Sequence, residues 1–522
     1  MGLLTAVALV VCASGSVQSG SAQNSAKTLI KTAKARFGVL TDAEIRMLGA
    51  APTRRLAWAS TVEDPDDKVN DAAKAESWGK ERTVRADLLA WLLSDSEASK
   101  LVHPSGVGLA AARIVGKLDL SYLEVVHPLT LLDCSIPEGI DFSYAQVNSI
   151  DLRRSWTGTI DGDQSLVHGD LDLWLGRYDS ISLFRAQIGG NLDLRSSHLV
   201  GDPPLFAVQA TINGDIVLHE GVTTGGLIDL SLIRIGQSLS VNDAQFTGDK
   251  KNGLNADRAI IGGTLYWVGI SKTPNTVLDL SDAHATSLWD DEQSWPSPGH
   301  LYLDGFVYDG FAGGPADGVS RLRWLRLQPV ALQAEPEPYR QLAQVLRHDG
   351  REEGAVQAQI ARENARARYG GTTIPSWLWL ETLRVTIGYG YRPLRALWWI
   401  LGFVLLGALL FRWGYRAGLI TPTEESAYHA FLASRVPPRH YPPFSSFVYS
   451  LENFLPVVDL HQGAYWRPNP HHRPNHRTRE YKWVEDTILA RLLRCYLWIH
   501  ILAGWTITPL LFAGLAGLLR ND

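Results

Sequence analysis

Between Ser165 and Trp267 one phrase recurs: SLVHGDLDL at 165–173, AQIGGNLDL at 186–194, ATINGDIVL at 210–218, IRIGQSLSV at 233–241 and AIIGGTLYW at 259–267. The copies start 21, 24, 23 and 26 residues apart, and an earlier one, ARIVGKLDL, stands at 112–120. Inside each copy the apolar residues alternate, which is the period of a strand and not of a helix. A small residue, usually Gly, sits mid-phrase, where a chain bends without a clashing side chain. Strand periodicity repeated every twenty-odd residues marks a β-solenoid: one coil has no core of its own, so each buries alternate Leu, Ile and Val and stacks on the next. The phrase predicts a solenoid over residues 101–315, with insertions such as 247–254 bulging from one face.

The flanks change grammar. Residues 27–100 predict a helical N-terminal cap, because TDAEIRMLGAA and RTVRADLLAWLLSD place apolar residues at helical spacing. Thr41 and Glu44 fit a capping box, and EDPDD at 63–67 is a loop. Residues 335–370 predict a helical hairpin stem turning at His348-Asp349-Gly350, where Gly350 suits a left-handed cap. Residues 1–26 carry no charge, and Leu3 to Ala13 are apolar. They are expected to form a signal-like segment with cleavage near Ala22; an uncleaved anchor is the rival, and bulky Val11 argues against a lipoprotein through Cys12.

The last region, 371–522, points to a bilayer. Nine of the 18 Trp follow residue 376, and two uncharged runs occur, Ala396–Phe411 and Cys495–Leu519. Arg395, Arg412, Arg494 and Arg520 bound these runs, and Trp398, Trp399, Trp413 and Tyr415 supply interfacial aromatics. Two transmembrane helices are expected, about 396–413 and 495–519, the second with Pro509 and a small-residue packing face, GLAG at 514–517. Near the spans the connecting segment carries seven Lys or Arg and the opposite side four, which places the connecting segment in the cytoplasm and the solenoid outside it.

Composition narrows the function. With 49 Lys+Arg against 54 Asp+Glu, the chain is no basic nucleic-acid binder. Cys12, Cys134 and Cys495 lie too far apart for a disulfide framework or a cysteine zinc site. Five motifs invite chemistry. TIGYG at 386–390 resembles a potassium-channel filter, but it precedes the first span, so a Gly turn is expected. In 444–468, Phe444, Phe447, Leu451 and Leu455 share a helical face, Pro456 ends the helix, and Asp459 and His461 follow. An amphipathic helix lying on the bilayer is expected there, with a re-entrant pore segment as the alternative. His461, His471, His472 and His476 sit in a Pro/Asn/Arg-rich stretch, where a basic loop is expected over a metal site. GVGLAA at 106–111 enters a coil, not the βαβ unit a dinucleotide needs. Asp119, Asp151, Asp172, Asp193, Asp229 and Asp279 each stand between inward apolar residues, so a solvated outer face with turn-forming hydrogen bonds is expected over calcium binding or acid–base work.

Several segments together resemble a bacterial family of membrane-bound pentapeptide-repeat-like proteins. They are FSYAQV at 142–147, LFRAQI at 183–188, LSDAHA at 280–285, WGKERTVRADLLAWLL at 78–93, WDDEQSWPSPGHLYLDGFVYD at 289–309, PYRQLAQVLRHDGREEGA at 338–355, TIGYGYRPLRALWW at 386–399 and YSLENFLPVVDLHQ at 449–462. The resemblance implies a mainly β fold: a right-handed β-helix with flanking α-helices and a C-terminal two-helix transmembrane region in the inner membrane of a bacterium. The family often bears the label of a membrane-associated oxidoreductase, yet no flavin, nicotinamide, haem or iron–sulfur motif stands in this chain. The expectation is a non-enzymatic scaffold of the cell envelope, without cofactor, metal or catalytic residues. Its partners would be the lipid bilayer, a protein or envelope polymer on the solenoid face, and further copies of itself, with no nucleic acid. The rivals are a two-span ion channel with 444–468 in its path and the solenoid as sensor, and an oxidoreductase.

Overall fold

A computed structural model describes residues 20–370, 373–434, 436–469 and 480–518, with backbone alone for 480–487. The chain divides into two units, Met1–Ala358 and Gln359–Asp522. The signal-like segment lies mostly outside the described residues. From Gly20 the chain is helical through Ala22 to Phe37 (α1), with Leu29 and Ala33 buried.

Unit 1 is a parallel β-solenoid of about nine turns. Val107, Leu129, Ile150, Leu171, Leu192, Ile216, Leu239, Leu265, Leu288 and Phe311 stand in one in-register column. A second column runs Leu118, Ile140, Ile160, Ile181, Leu205, Ile228, Leu254, Leu278, Leu301 on the other sheet. Nearly every one of these side chains is fully buried. Each contributes about 1.5–3 kcal/mol by leaving water, which is why the alternation alone drives the stacking.

The corners differ from expectation in their cause. After the second short strand of each coil the backbone turns left-handed at a non-glycine residue: Tyr122, Tyr144, Arg154, Leu175, Ser196, Leu232 and Asp282 all have φ between 52° and 60°. The mid-phrase glycines serve close approach instead. A Cβ on Gly189 or Gly236 would collide with the carbonyl oxygen of His168 or Asn213 in the preceding coil. Gly is required there by stacking distance, not by φ.

The N-terminal region is less helical than its periodicity suggests. Besides α1 it holds α2 (Asp42–Ala50) and α3 (Ala86–Ser94), and it also lends strands to the solenoid: Ala57–Trp58 pairs Leu109–Ala110, and Thr83–Arg85 pairs Arg113–Val115. Strand pieces this short carry no readable period, so tertiary pairing decides them. The capping box is present: Thr41 Oγ1 accepts from the Glu44 amide, and Glu44, fully buried, also accepts from Arg85 Nε at 2.8 Å.

The far end is closed by α4 (Gly318–Leu325) and α5 (Glu337–His348). Arg321 of α4 reaches into the last coils and meets buried Asp290 in a bidentate pair, at 2.8 and 2.6 Å. Trp295 Nε1 donates to the same carboxylate at 2.7 Å, and the Arg321 guanidinium lies 4.0 Å from the Phe311 ring centroid. The hairpin turns at Gly350, with φ +73°, into α6 (Glu352–Tyr369), within which unit 2 begins.

Cys134 is sealed in the core, and burial pushes its thiol up to about 12. A thiol reagent at pH 8 is therefore expected to leave Cys134 unmodified in the folded chain and to react with it only in denaturant, as mass spectrometry of the labelled chain will report.

Unit 2 continues with α7 (Ile374–Ile387), α8 (Arg395–Arg416), α9 (Glu425–Ser434), α10 (Ser446–Phe454), α11 (Gln462–Tyr465) and α12 (Glu480–Leu515). α8 and the part of α12 from Ile488 to Leu515 are long and apolar enough to cross a membrane. Little of either is covered by the rest of the unit: 22 % and 39 % of their most apolar windows are buried. Trp398, Leu409, Trp498, Leu502, Trp505 and Phe512 stand bare. A core helix of a soluble protein would hide such residues.

Candidate functional site

The repeat carboxylates form ladders. Asp151, Asp172 and Asp193 are register partners on successive coils. On the other sheet Asp119, Asp141 and Asp161 align likewise. Local bonds account for most of them. The Asp151 carboxylate accepts from the Arg153 amide and Nε, Asp193 from those of Arg195, and Asp119, Asp229 and Asp279 each from the amide and hydroxyl of a Ser two residues on. These are the turns that set up the left-handed corner one residue later. The expected turn-forming hydrogen bonds are therefore present. The outward face is only partly solvated, since Asp193 is buried under Arg195.

Asp172 is the exception in that column. Arg153 and Arg195 pair with its neighbours, and both guanidinium groups stack on Trp174, at 5.3 and 5.7 Å. Burial, then the charges of Asp151, Asp170 and Asp193, push the Asp172 carboxyl up to about 6. An unfolded Asp titrates near ~3.9. The folded chain thus holds an extra proton between those values, so stability falls as pH rises from about 4 to about 6 and is level above that. Asp172→Asn is expected to remove this slope and to add about 1 kcal/mol at neutral pH, a value discounted for the water reaching a partly exposed group. Urea unfolding at about pH 4.5 and pH 7.5 measures both effects.

GVGLAA contributes the strand Val107–Ala110 and is followed by another strand, Arg113–Val115, so no helix N-terminus meets it. TIGYG ends α7: Gly388, Tyr389 and Gly390 have φ of 55°, 56° and 91°, and the Tyr389 hydroxyl donates to Asn364 Oδ1 at 3.0 Å. This is the expected turn, leading to Arg392-Pro393 and α8. His471, His472 and His476 lie outside the described residues; His461 is exposed, with φ +64° and Nδ1 3.6 Å from Asp459 Oδ1. Among the described residues no three His, Cys, Asp or Glu gather as metal ligands.

For 444–468, expected as an amphipathic helix, the structure gives α10, whose apolar side chains pack within unit 2. α10 packs between α8 and α12. Tyr449 meets Phe411 at 4.9 Å between ring centroids, and Phe454 meets Phe403 at 5.6 Å, so α10 runs antiparallel to α8. Tyr449, Ser450 and Phe454 are buried, and Phe444, Leu451 and Leu455 of the expected face pack beside them, whereas Phe447 is half exposed. Two glycines make room. A Cβ on Gly407 would strike Ser450 Oγ, and one on Gly504 would strike the Phe454 carbonyl oxygen. Gly504, near the middle of the Cys495–Leu519 run, meets the end of α10 at Phe454, while Gly407, near the end of the Ala396–Phe411 run, meets its middle at Ser450.

A buried polar contact fastens the middle of α10. His500 is fully buried, with Nε2 3.0 Å from Ser450 O and 3.3 Å from its Oγ, while Ser450 Oγ donates to Val404 O at 2.8 Å. Tyr496 Oη lies 3.4 Å from His500 Nδ1. A neutral imidazole donating from Nε2 and accepting at Nδ1 satisfies every partner. After Phe454 the helix stops ahead of Pro456 as expected, and the chain returns: Glu452 accepts from the amides of Gln462 and Gly463, at 2.7 and 3.1 Å, and Trp466–Pro468 pairs antiparallel with Ile420–Pro422. Sequence reasoning passed over Gly407, Ser450, His500 and Gly504. The signal was there in two glycines and one His inside otherwise apolar runs. Compared with protein-family models and with curated proteins, the chain matches none.

Proposed function

We propose that this chain is a membrane-anchored β-solenoid that presents unit 1 as an interaction scaffold in the cell envelope, held by two spans, α8 and α12. The observation that carries the anchor is the bare apolar surface of those helices. The solenoid is right-handed on this reading, as parallel crossover connections are, and its corners are of the pentapeptide type. The basic residues of the connecting segment favour its retention in the cytoplasm, which leaves unit 1 outside it. A bacterial inner membrane suits both features. A topology map tests the reading: a reporter active only outside the cytoplasm is fused after residue 330 and, separately, near residue 470. Signal from the first fusion alone is the expected result; signal from the second alone overturns the orientation, and a chain extracted by alkaline carbonate overturns the anchor.

A second reading has an observation of its own. On this reading the α10 hairpin, seated against Gly407, Gly504 and His500, lies at membrane depth and exceeds what a plain anchor requires. Irregular backbone at that depth is tolerated where protein or a watery cavity surrounds it. In an oligomer the returning turn at Pro456–His461 would line an ion path. Conductance in planar bilayers that is lost on Asp459→Ala supports this channel; silent bilayers with intact oligomer return the proposal to the scaffold alone.

A further inference from the structure

Arg113, Ser135, Trp156, Arg177 and His198 are register partners on successive rungs of one sheet. The residues that follow them, Ile114, Ile136, Thr157, Tyr178 and Leu199, are buried. Side chains alternate along a strand, so the first set forms a row on the outer face. The row continues through Thr223 to Gln245. Over Arg113, Ser135, Trp156 and Arg177 lies a cavity of about 390 Å³, in the range of ligand sites. Its other wall is the short helix Ala72–Ser77, whose Ala72, Ala73 and Ala75 are too small to fill the space.

The charged groups of this cavity are uncommitted. Arg113 is half-buried, yet its guanidinium makes no hydrogen bond or ion pair among the described residues. The Arg177 guanidinium has one contact, the Trp156 ring, 5.0 Å from its centroid. The carboxylates of Glu76 and Asp179 border the same space and pair with neither. A half-buried guanidinium without an acceptor gives up water with no return, and its fork matches a carboxylate. Trp156 is 38 % exposed and offers a flat apolar face. Glu76 and Asp179 would repel a bare inorganic anion, but they accept readily from hydroxyl groups. Donors for a carboxylate, acceptors for hydroxyls and a flat apolar platform are together the contacts that a sugar acid needs. Arg113 and Arg177 stand three rungs apart, about 14 Å along the stack. The polar row also runs on beyond the cavity, so a chain of linked rings fits it better than a single small ion.

We propose that this cavity binds an acidic oligosaccharide, with Arg113 and Arg177 holding ring carboxylates and Trp156 stacking on a sugar face. The proposal deepens the scaffold reading and rests on it, since it names the class of envelope polymer that the solenoid face takes.

The test uses the full chain in lipid nanodiscs, titrated calorimetrically with trigalacturonate at physiological salt. Saturable binding is expected. Arg113→Gln is expected to weaken it about tenfold or more, and Trp156→Leu about fivefold. Arg340→Gln, which removes the same charge from an exposed ion pair with Glu337, is expected to leave it unchanged. A thermal melt of each variant checks folding. Should Arg113→Gln fail to fold, Arg177→Gln, whose side chain touches only the exposed indole, carries the test. The measurement is blind to sidedness, so an inverted topology map leaves it unchanged, and its failure leaves the anchor standing. No binding by the wild type, equal binding by the Arg113 and Trp156 variants, equal binding of neutral maltotriose, or displacement by phosphate or glycine at equal concentration would each overturn the proposal.

Discussion

Arg321→Met is expected to destabilise unit 1 by about 3–5 kcal/mol, the cost of stranding a buried charge by removing its partner. The stranded group is Asp290, 2 % exposed, which loses both charge-assisted bonds and keeps only the Trp295 indole donor. Because α4 reaches the last coils through this pair, the C-terminal coils should fray first. Hydrogen exchange of residues 284–311 against 140–172 measures that gradient, and calorimetry measures the total. The double variant Arg321→Met, Asp290→Leu is expected to regain most of the loss, since a well-packed apolar pair replaces a buried ion pair at little net cost. If the single variant unfolds uniformly along the stack, the end-cap role of Arg321 is wrong.

The second large effect belongs to Gly504. Ordinary overpacking costs about 1–3 kcal/mol; here the added atoms would meet the backbone of Phe454, which has no rotamer to move. Gly504→Val is expected to exceed that range and to expel α10 from between α8 and α12. Ser450→Cys, in a chain whose native cysteines are replaced by Ala, reports the outcome through a water-soluble maleimide. Labelling should be absent with Gly504 in place and complete within minutes with Val. Equal protection in both would show that α10 is held by something other than this close approach.

The solenoid could be read in advance because its signal is redundant. Leu171, Leu192, Ile216 and Leu239 repeat one physical instruction, and no single exception erases it. The rungs at Ala57–Trp58 and Thr83–Arg85 were hidden for the opposite reason: two or three residues have no period, and only the partner strands decide their state. The Asp ladder was legible as turn chemistry because Asp followed two residues later by Ser or Arg is a local instruction. The unpaired Asp172 was not, since its proton depends first on burial by the fold and then on charges that include Asp151 and Asp193 on neighbouring coils, twenty-one residues away in sequence. For the α10 segment the amphipathic pattern gave only part of the packing. Phe444, Leu451 and Leu455 of the expected face do pack, Phe447 does not, and the close approach is made by missing side chains at Gly407 and Gly504. A pattern of presence cannot report a contact made by absence.

The column of matched rungs has a consequence for how such a molecule changes size. Consecutive rungs are spaced about 4.8 Å apart, so nine turns make a rod about 43 Å long. Any coil from Ile150 to Leu239 meets much the same surface above and below, Leu over Ile over Leu. Excising residues 171–191 would bring Leu192 onto Ile150 with its hydrogen-bonding partners intact. Length is thus a quantity that inheritance can adjust one notch at a time, by duplication or loss of some twenty codons, without redesigning either terminus.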